Sequence, residues 1–269
     1  MPIITISRGS YSKGKEIAEK LGQTMGYEVV SREIALNASE EFNVPEIQLV
    51  RAIHDAPSIL DRLTHKKERY VAFIRAALLE HFCRDNVIYH GLAGHFFIRN
   101  IAHVLKVRII ADMGDRVQAE MEREGISEEE ALRVLKEDDD ERRKWSKYLY
   151  GIDTRDSNLY DLVIHVHKIS VDDAVEVICR MAQLKQFQAT PESTNALKDL
   201  ALSAAVKAAL PKTDYTAKVT VKDGFVNIKT GPIPHHQLHR VDDIDRIIKN
   251  IPGIRDLRVD AEPALPISE

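Results

Sequence analysis

The fold of this chain is decided by the stretch Ile3-Ile4-Thr5-Ile6-Ser7-Arg8-Gly9-Ser10-Tyr11-Ser12-Lys13-Gly14-Lys15-Glu16-Ile17-Ala18. An apolar run of strand character leads into a loop with Gly9 and Gly14-Lys15, and a helical pattern of apolar residues follows. A strand, a loop of the form G-x-x-x-x-G-K and a helix, in this order, are typical of a phosphate-binding P-loop. We expect the glycines to adopt positive φ angles that turn successive backbone N–H groups toward one point. The alternative is a glycine turn with only a structural role.

The loop supplies the predicted phosphate-binding residues, which are Gly9, Ser10, Tyr11, Ser12, Lys13, Gly14, Lys15 and Glu16. The N-terminus of the following helix would add N–H donors and a partial positive charge. Lys15 would reach the outer phosphates and is a candidate catalytic residue. Glu16 stands where a P-loop normally has the Ser or Thr that binds Mg²⁺. Glu16 would hold Mg²⁺ through water, or it would only complement the helix dipole.

Composition limits the class of protein. The chain has 269 residues, 44% of them hydrophobic, which suffices for one large domain or two smaller ones. Its net charge of −4 gives no basic field, so we expect neither a nucleic-acid partner nor membrane insertion. Cys83 and Cys179 lie far apart and outside any C-x-x-C motif, which indicates a reducing compartment. No signal peptide is evident, so we expect a cytoplasmic protein.

The first domain is predicted to span residues 1–187. Strand-like runs alternate with helical patterns there, which predicts an α/β domain with a parallel P-loop-type sheet. A helical insert over 31–84 separates two strands, and we expect a helix over 94–104.

The polar, proline-punctuated stretch 188–194 is predicted to be a linker. Residues 195–262 read as a small α+β domain with a meandering sheet and a turn at Asp223-Gly224, and 263–269 as a disordered tail.

A long charged helix is predicted after Ser127, which with Glu130 forms a capping-box pattern. The run 138–144 is almost wholly charged. Such a run is often a solvated helix face with i,i+4 ion pairs. Within a P-loop domain it is also where a lid would bring cations over a transferring phosphoryl group. Arg142 and Arg143 are therefore candidate catalytic residues of a lid.

The first domain resembles the cytidylate kinase-like family of P-loop nucleoside monophosphate kinases. The residues that carry the resemblance are Ile4-Thr5-Ile6-Ser7-Arg8, Gly14-Lys15-Glu16-Ile17-Ala18, Asp139-x-x-Arg142 and Tyr160-Asp161-Leu162-Val163-Ile164. A Glu at position 16 is ordinary in that family. The resemblance implies a core sheet, a helical substrate-binding insert and an arginine-bearing lid. It also implies ATP with Mg²⁺ as donor and a nucleoside monophosphate as acceptor.

One loop departs from the family pattern. Cytidylate kinases bind the acceptor with an Asp-Gly-Arg-Asp string, where this chain has His90-Gly91-Leu92-Ala93-Gly94. Arg32, Arg75 and Arg99 are candidate substitutes for the missing arginine. We also assign His90 and Gly91 to the acceptor site, although a packing role for His90 is an equal alternative.

The second domain resembles a BON domain, with a helix, a hairpin at Asp223-Gly224, a second helix and a last strand after Ile251-Pro252-Gly253-Ile254. The resemblance implies a ligand or protein partner and no catalytic residues. His235, His236 and His239 suggest a metal site, but without an acidic or thiolate ligand at suitable spacing we interpret them as solvated.

The leading hypothesis is thus an ATP-dependent phosphotransferase acting on a nucleotide such as CMP or on another small acceptor. The alternative is a catalytically weak nucleotide sensor that signals through the BON-like domain.

Overall fold

A computed structural model of the chain describes residues 2–9, 12–31, 33–43, 66–91, 94–210, 217–233 and 239–263. These residues form a five-stranded sheet flanked by helices and a separate three-stranded sheet. None of the described helices combines the length and the hydropathy needed to cross a bilayer.

The large sheet is parallel throughout and has the order β2-β3-β1-β4-β5. Its strands are β1 (Ile3–Arg8), β2 (Glu28–Val30), β3 (Val87–Tyr89), β4 (Val104–Ala111) and β5 (Leu162–Val166). The helices around it are α1 (Gly14–Met25), α2 (Glu33–Glu41), α3 (Lys66–Phe82), α4 (Gly94–Phe97), α5 (Met113–Glu124), α6 (Glu128–Tyr150) and α7 (Val171–Ala182). The predicted parallel α/β architecture is confirmed.

Strand β1 is the centre of the sheet because its side chains are buried on both faces. Ile3 faces a core built largely by α3, while Ile4 and Ile6 face the core beneath α1 and α7. This alternation is the period of two that a strand imposes on its side chains. The sheet therefore has two apolar faces, and β1 directs its carboxyl end toward the P-loop.

One helix ends earlier than predicted. The helix expected over 94–104 is only the short α4, because Val104 already pairs with Ile3 in the sheet. Helix α7 ends at Ala182, where the Gln188 side-chain amide donates to the Ala182 carbonyl at 2.7 Å and satisfies the helix end. The long charged helix is confirmed as α6, with the Ser127 hydroxyl accepting from the Glu130 N–H.

The C-terminal unit consists of α8 (Pro191–Ala209), β6 (Lys218–Lys222), β7 (Phe225–Ile233), α9 (His239–Ile248) and β8 (Asp256–Pro263). Strands β6 and β7 form the expected hairpin, with positive φ angles at Asp223 and Gly224. Strand β8 is parallel to β7 and reaches it through α9, so the predicted meander is wrong for the last strand. A parallel pair requires such a crossover connection.

Helix α8 begins inside the predicted linker. Thr190 and Ser193 form a reciprocal capping box around Pro191, so a helix starts within the polar residues of 188–194. Leu197 and Ala204 pack into the core of α3, whereas Val206 packs into the core of the small sheet. The helix is thus shared by both cores, and the division of the chain into domains stays a prediction.

Candidate phosphate-binding site

The loop after β1 differs from expectation in its backbone. Lys13 has the left-handed conformation, with φ 65° and ψ 4°, directly before α1. Among the described residues, the glycines with positive φ are found elsewhere, so the positive φ predicted for Gly9 and Gly14 is wrong. Ser10 and Tyr11 lie outside the described residues.

Gly14 is needed for space. A Cβ atom on Gly14 would lie 2.6 Å from Cδ and 2.8 Å from Cβ of Arg8. A Cβ atom on Gly9 would lie 3.4 Å from Cζ of Arg116, which is an ordinary van der Waals distance. Gly14 therefore lets the Arg8 side chain approach the loop backbone, and the Arg116 guanidinium lies beside Gly9.

The N-terminus of α1 presents backbone donors. No side chain caps the helix at Lys13, and the first intrahelical bond runs from the Ile17 N–H to the Lys13 carbonyl at 3.0 Å. The preceding N–H groups of the first turn have no intrahelical acceptor, which is the general condition for an anion site at a helix start. The buried Ser12 hydroxyl closes the loop by donating to the Gly9 carbonyl at 3.0 Å.

Within the described part of the chain, the loop lysines make exposed ion pairs. Lys15 Nζ lies 3.6 Å from Glu19 Oε1, and Lys13 Nζ lies 3.8 Å from Glu16 Oε2. Exposed pairs of this kind contribute about 0–1 kcal/mol, so a phosphate can replace the glutamates at small cost. Glu16 accordingly faces a lysine, and its predicted metal role stays a prediction.

Helix α6 reaches the loop through one of its two candidate arginines. Arg142 Nη1 donates to the Arg8 carbonyl at 3.2 Å, at the end of β1. Arg143 Nη2 instead donates to Asp140 Oδ1 at 2.9 Å, one turn back along the same helix. The structure thus places Arg142 at the P-loop strand and keeps Arg143 in an ion pair within α6.

Arg116 is a residue of this site that the sequence did not reveal. Its side chain is 8% exposed and donates twice to Asp139, from Nη1 to Oδ2 at 2.9 Å and from Nη2 to Oδ1 at 3.0 Å. The pair joins α5 to α6 directly beside Gly9. Asp139 belongs to the Asp139-x-x-Arg142 motif, but nothing in the sequence pointed to its partner on α5.

A buried polar cluster lies at Tyr160, just before β5. The Tyr160 hydroxyl donates to the Thr154 carbonyl at 3.0 Å and accepts from Arg108 Nη1 at 3.1 Å. Ser7 Oγ lies 3.2 Å from the same hydroxyl. Burial, with Arg108 second, lowers the pKa of neighbouring His95 to about 3, so His95 is neutral. This cluster ties the segment after α6 to β1 and β4.

The candidate acceptor residues come from several elements. The buried His90 and the adjacent Gly91 follow β3, at the same sheet edge as the P-loop, and the His90 N–H donates to the Val30 carbonyl at 3.1 Å. Gly91 packs so closely on the Tyr89 ring that a Cβ atom would overlap it. Arg75 lies on α3, and the Arg99 guanidinium lies 5.7 Å from the centroid of Phe96. Arg32 lies outside the described residues, and joint binding of an acceptor by this set stays a prediction.

Together, the parallel sheet, the glycine loop after its central strand and the uncapped helix define an α/β protein with the strand, loop and helix arrangement of a P-loop. Residues 3–168 match the sequence model of the cytidylate kinase-like family. This match covers more than half of the chain, so the protein belongs to that family.

Curated relatives agree with this assignment, and a solved structure has a similar fold. The chain is 29% identical over 181 residues to a cytidylate kinase of Pyrococcus horikoshii, covering 65% of this chain and 85% of the relative. It is 27% identical over 187 residues to a cytidylate kinase of Ignicoccus hospitalis, covering 67% and 99%. An uncharacterized protein of Eubacterium ventriosum has a similar fold, with a TM-score of 0.51, 20% identity and coverage of 69% of this chain and 100% of that one.

Proposed function

We propose that this protein is an ATP-dependent phosphotransferase of the nucleoside monophosphate kinase type. It would transfer the γ-phosphoryl group of ATP to a nucleotide such as CMP or to another small acceptor. The observation that carries the proposal is the uncapped N-terminus of α1, with Lys15 beside it and Arg116 and Arg142 at the same loop. The family to which the chain belongs supports it.

Binding of the donor would use groups that already face the loop. The N–H groups of the first turn of α1 would bind the donor phosphates, and Lys15 would exchange Glu19 for a phosphate oxygen. A helix N-terminus of this kind fits a bound phosphate chain because its backbone donors point at the ligand. Mg²⁺, when bound with ATP, would neutralise charge between the phosphates, with Glu16 as the candidate residue to hold it through water.

Transfer would depend on positioning and charge. Arg142 and Arg143 belong to one helix and would close over the transferred group, Arg143 after leaving Asp140. Arginines that stabilise the charge of a phosphoryl group in transit contribute on the order of 10³–10⁵ in rate. Arg116 would hold α5 and α6 in register with the loop. No general base is required for this class of chemistry.

The acceptor would be bound between the sheet edge at His90-Gly91 and the helical insert that contains Arg75. The close packing of Gly91 and Gly94 on Tyr89 fixes the path of the chain on either side of the altered loop. This loop would set the choice between CMP and another small acceptor. The C-terminal unit would act as a BON-like module that binds a ligand or protein partner.

The test is an assay of ATP turnover by the full chain in the presence of Mg²⁺, with CMP, dCMP, UMP, AMP or GMP as the acceptor. Lys15→Ala should lower turnover by at least about 10²-fold, because it removes a charge that the transition state requires. Lys20→Ala is the matched control, since Lys20 lies on the same helix and pairs with Asp172 at 2.8 Å. Full activity of Lys15→Ala would exclude the proposed role of the loop.

A second candidate function is a nucleotide sensor with little transfer. Two observations favour it: the Asp-Gly-Arg-Asp string is replaced at 90–94, and α8 packs into both cores. Calorimetric binding of ATP or a monophosphate, with no turnover on any acceptor of the panel, would support the sensor. Turnover on any one acceptor would support the kinase.

A further inference from the structure

A cluster of metal-ligating side chains lies at the carboxyl ends of β4 and β5. Asp112 directly follows β4, Asp115 lies in the first turn of α5, and His165 and His167 lie at the end of β5. None of these residues belongs to the proposed phosphate site. We propose that Asp112, Asp115 and His167 form a binding site for a late first-row divalent cation, with Zn²⁺ as the best match.

Two distances within the cluster match those between the ligands of one metal ion. His167 Nδ1 lies 3.4 Å from Asp112 Oδ2 and 3.4 Å from Asp115 Oδ2, and the three ligand atoms all lie within 4.8 Å of one another. Tetrahedral zinc with bonds of about 2.0–2.1 Å separates its ligands by roughly 3.3–3.4 Å. A single N–H on His167 would have to be shared between the two carboxylates, whereas one cation between them would bind all three atoms.

His165 supplies the support that such a ligand needs. Its Nε2 lies 3.0 Å from Asp112 Oδ1, the carboxylate oxygen that does not face His167. A hydrogen bond to the free oxygen orients a ligating carboxylate and is a regular feature of metal sites. His165 is itself fixed within the sheet, where it pairs with Ile110 of β4. The two His rings lie 6.0 Å apart, so both reach the carboxylates from one side.

The donor set selects the class of cation. One imidazole nitrogen and two carboxylate oxygens suit Zn²⁺ and its neighbours, whereas Mg²⁺ and Ca²⁺ prefer oxygen ligands alone. Two carboxylates in contact with one imidazole also carry a net negative charge that a dication would neutralise. The side chains are about half exposed, so three protein ligands would leave a fourth position for water.

The site would have a mechanical effect on α5. Asp115 is followed by Arg116, whose guanidinium contacts Gly9 and pairs with Asp139. A cation held by Asp112, Asp115 and His167 would fasten the first turn of α5 to the end of β5. It would thereby restrain Arg116, and this holds whether or not the protein transfers phosphate.

The experiment is a calorimetric titration of the chelator-treated full chain with ZnCl₂ in the absence of nucleotide. We expect one binding site that His167→Ala and Asp115→Asn each weaken by at least tenfold. Thermal unfolding of each variant in chelator checks that it folds. The double variant His235→Ala with His236→Ala is the control, because it removes two neighbouring histidines that are not part of the proposed site.

Three results would overturn the proposal. These are no stoichiometric Zn²⁺ binding by the unaltered chain, unchanged binding by the folded His167→Ala variant, or loss of binding in the control variant alone. The first would mean that the cluster is a set of ion pairs, and the last that zinc binds at the His235-His236 segment.

Discussion

Gly14 is the first residue of α1, and another residue fills the space that a side chain at this position would occupy. The aliphatic part of Arg8 fills the space, 2.6 Å from where a Cβ atom would stand. The backbone conformation of position 14 does not require glycine, since the left-handed residue directly before α1 is Lys13. Gly14 is therefore needed for the packing of Arg8, and a side chain at this position should lower the stability of the protein.

Gly14→Ala should destabilise the protein by about 1–3 kcal/mol, because the added methyl displaces Arg8 in a closely packed position. It should also weaken ATP binding, since Arg8 carries the carbonyl that accepts from Arg142. Urea unfolding and calorimetry measure the two effects. Gly114→Ala is the control: nothing lies within 4 Å of its added Cβ in α5, so stability should be equal or up to about 1 kcal/mol higher. Equal stability of both variants would contradict the packing argument.

His95 should make stability depend on pH. Burial lowers its pKa from 6.5 to about 3, so below pH 6.5 the unfolded chain binds a proton that the folded chain does not. The contribution of neutral His95 to the free energy of unfolding is therefore fully present above pH 6.5. It is lost as pH falls toward 3, with a slope of up to about 1.4 kcal/mol per pH unit. Urea unfolding at several pH values between 4.5 and 7 should show this slope, and His95→Gln should reduce it. An unchanged slope in the variant would show that His95 is not the titrating group.

Only some residues of the site could be predicted from the sequence. Lys15 and Arg142 stand in recognisable patterns, a P-loop string and an Asp-x-x-Arg motif. Arg116 does not, because its role depends on the side chain of Asp139, 23 residues away, and on its position beside Gly9. Arg108 and His95 were missed for the same reason, since the Tyr160 hydroxyl that organises them is distant in the chain.

Helices α5 and α6 are joined by the ion pair of Arg116 and Asp139. Arg116→Met should destabilise the chain by about 1–3 kcal/mol: a broken buried pair costs roughly 3–5 kcal/mol, but Asp139 is 28% exposed and water lowers the penalty. Asp139→Asn added to Arg116→Met should cost little more, so a double-mutant cycle by urea unfolding should show a clear coupling energy.

The matched control is the exposed pair Arg133–Glu137 within α6, at 3.0 Å. Its coupling energy should stay near 0.3–0.5 kcal/mol, as for other i,i+4 pairs. A coupling energy for Arg116 and Asp139 that is no larger would mean that this pair does not hold the two helices together.

Secondary structure could be predicted where the sequence of a segment alone determined it. Strand β1 was predicted correctly because a continuous apolar run is typical of a strand buried on both faces. The helix expected over 94–104 failed because the pairing of Val104 with Ile3 extends the chain there, and pairing is not a local property. The start of α8 within residues 188–194 was missed because Thr190 and Ser193 have the composition of a loop but cap a helix.

Helix α8 makes the two sheets depend on each other. Leu197 and Ala204 cover the apolar face of α3, and the buried His103 Nδ1 lies 2.7 Å from Ser193 Oγ. A chain ending at residue 187 would expose that face to water.

We therefore expect a chain ending at residue 187 to unfold at lower temperature than one ending at 210, and to bind a hydrophobic dye. The longer chain keeps α8 and should stay folded. Differential scanning calorimetry of both proteins, beside the full chain, measures the difference. Equal unfolding temperatures would show that residues 1–187 are an independent domain.

The order of strands in the large sheet has a consequence for synthesis. Strand β1 is synthesised before both of its neighbours, β3 and β4, with Ile4 beside Ile88 and Leu105. Its apolar side chains stay without a strand partner until β3, which begins at Val87, and then β4, which begins at Val104, have been made. At roughly 5–20 residues per second this exposes an apolar segment for several seconds. We expect chaperones to capture nascent chains that end before β3 and to release those that contain β4.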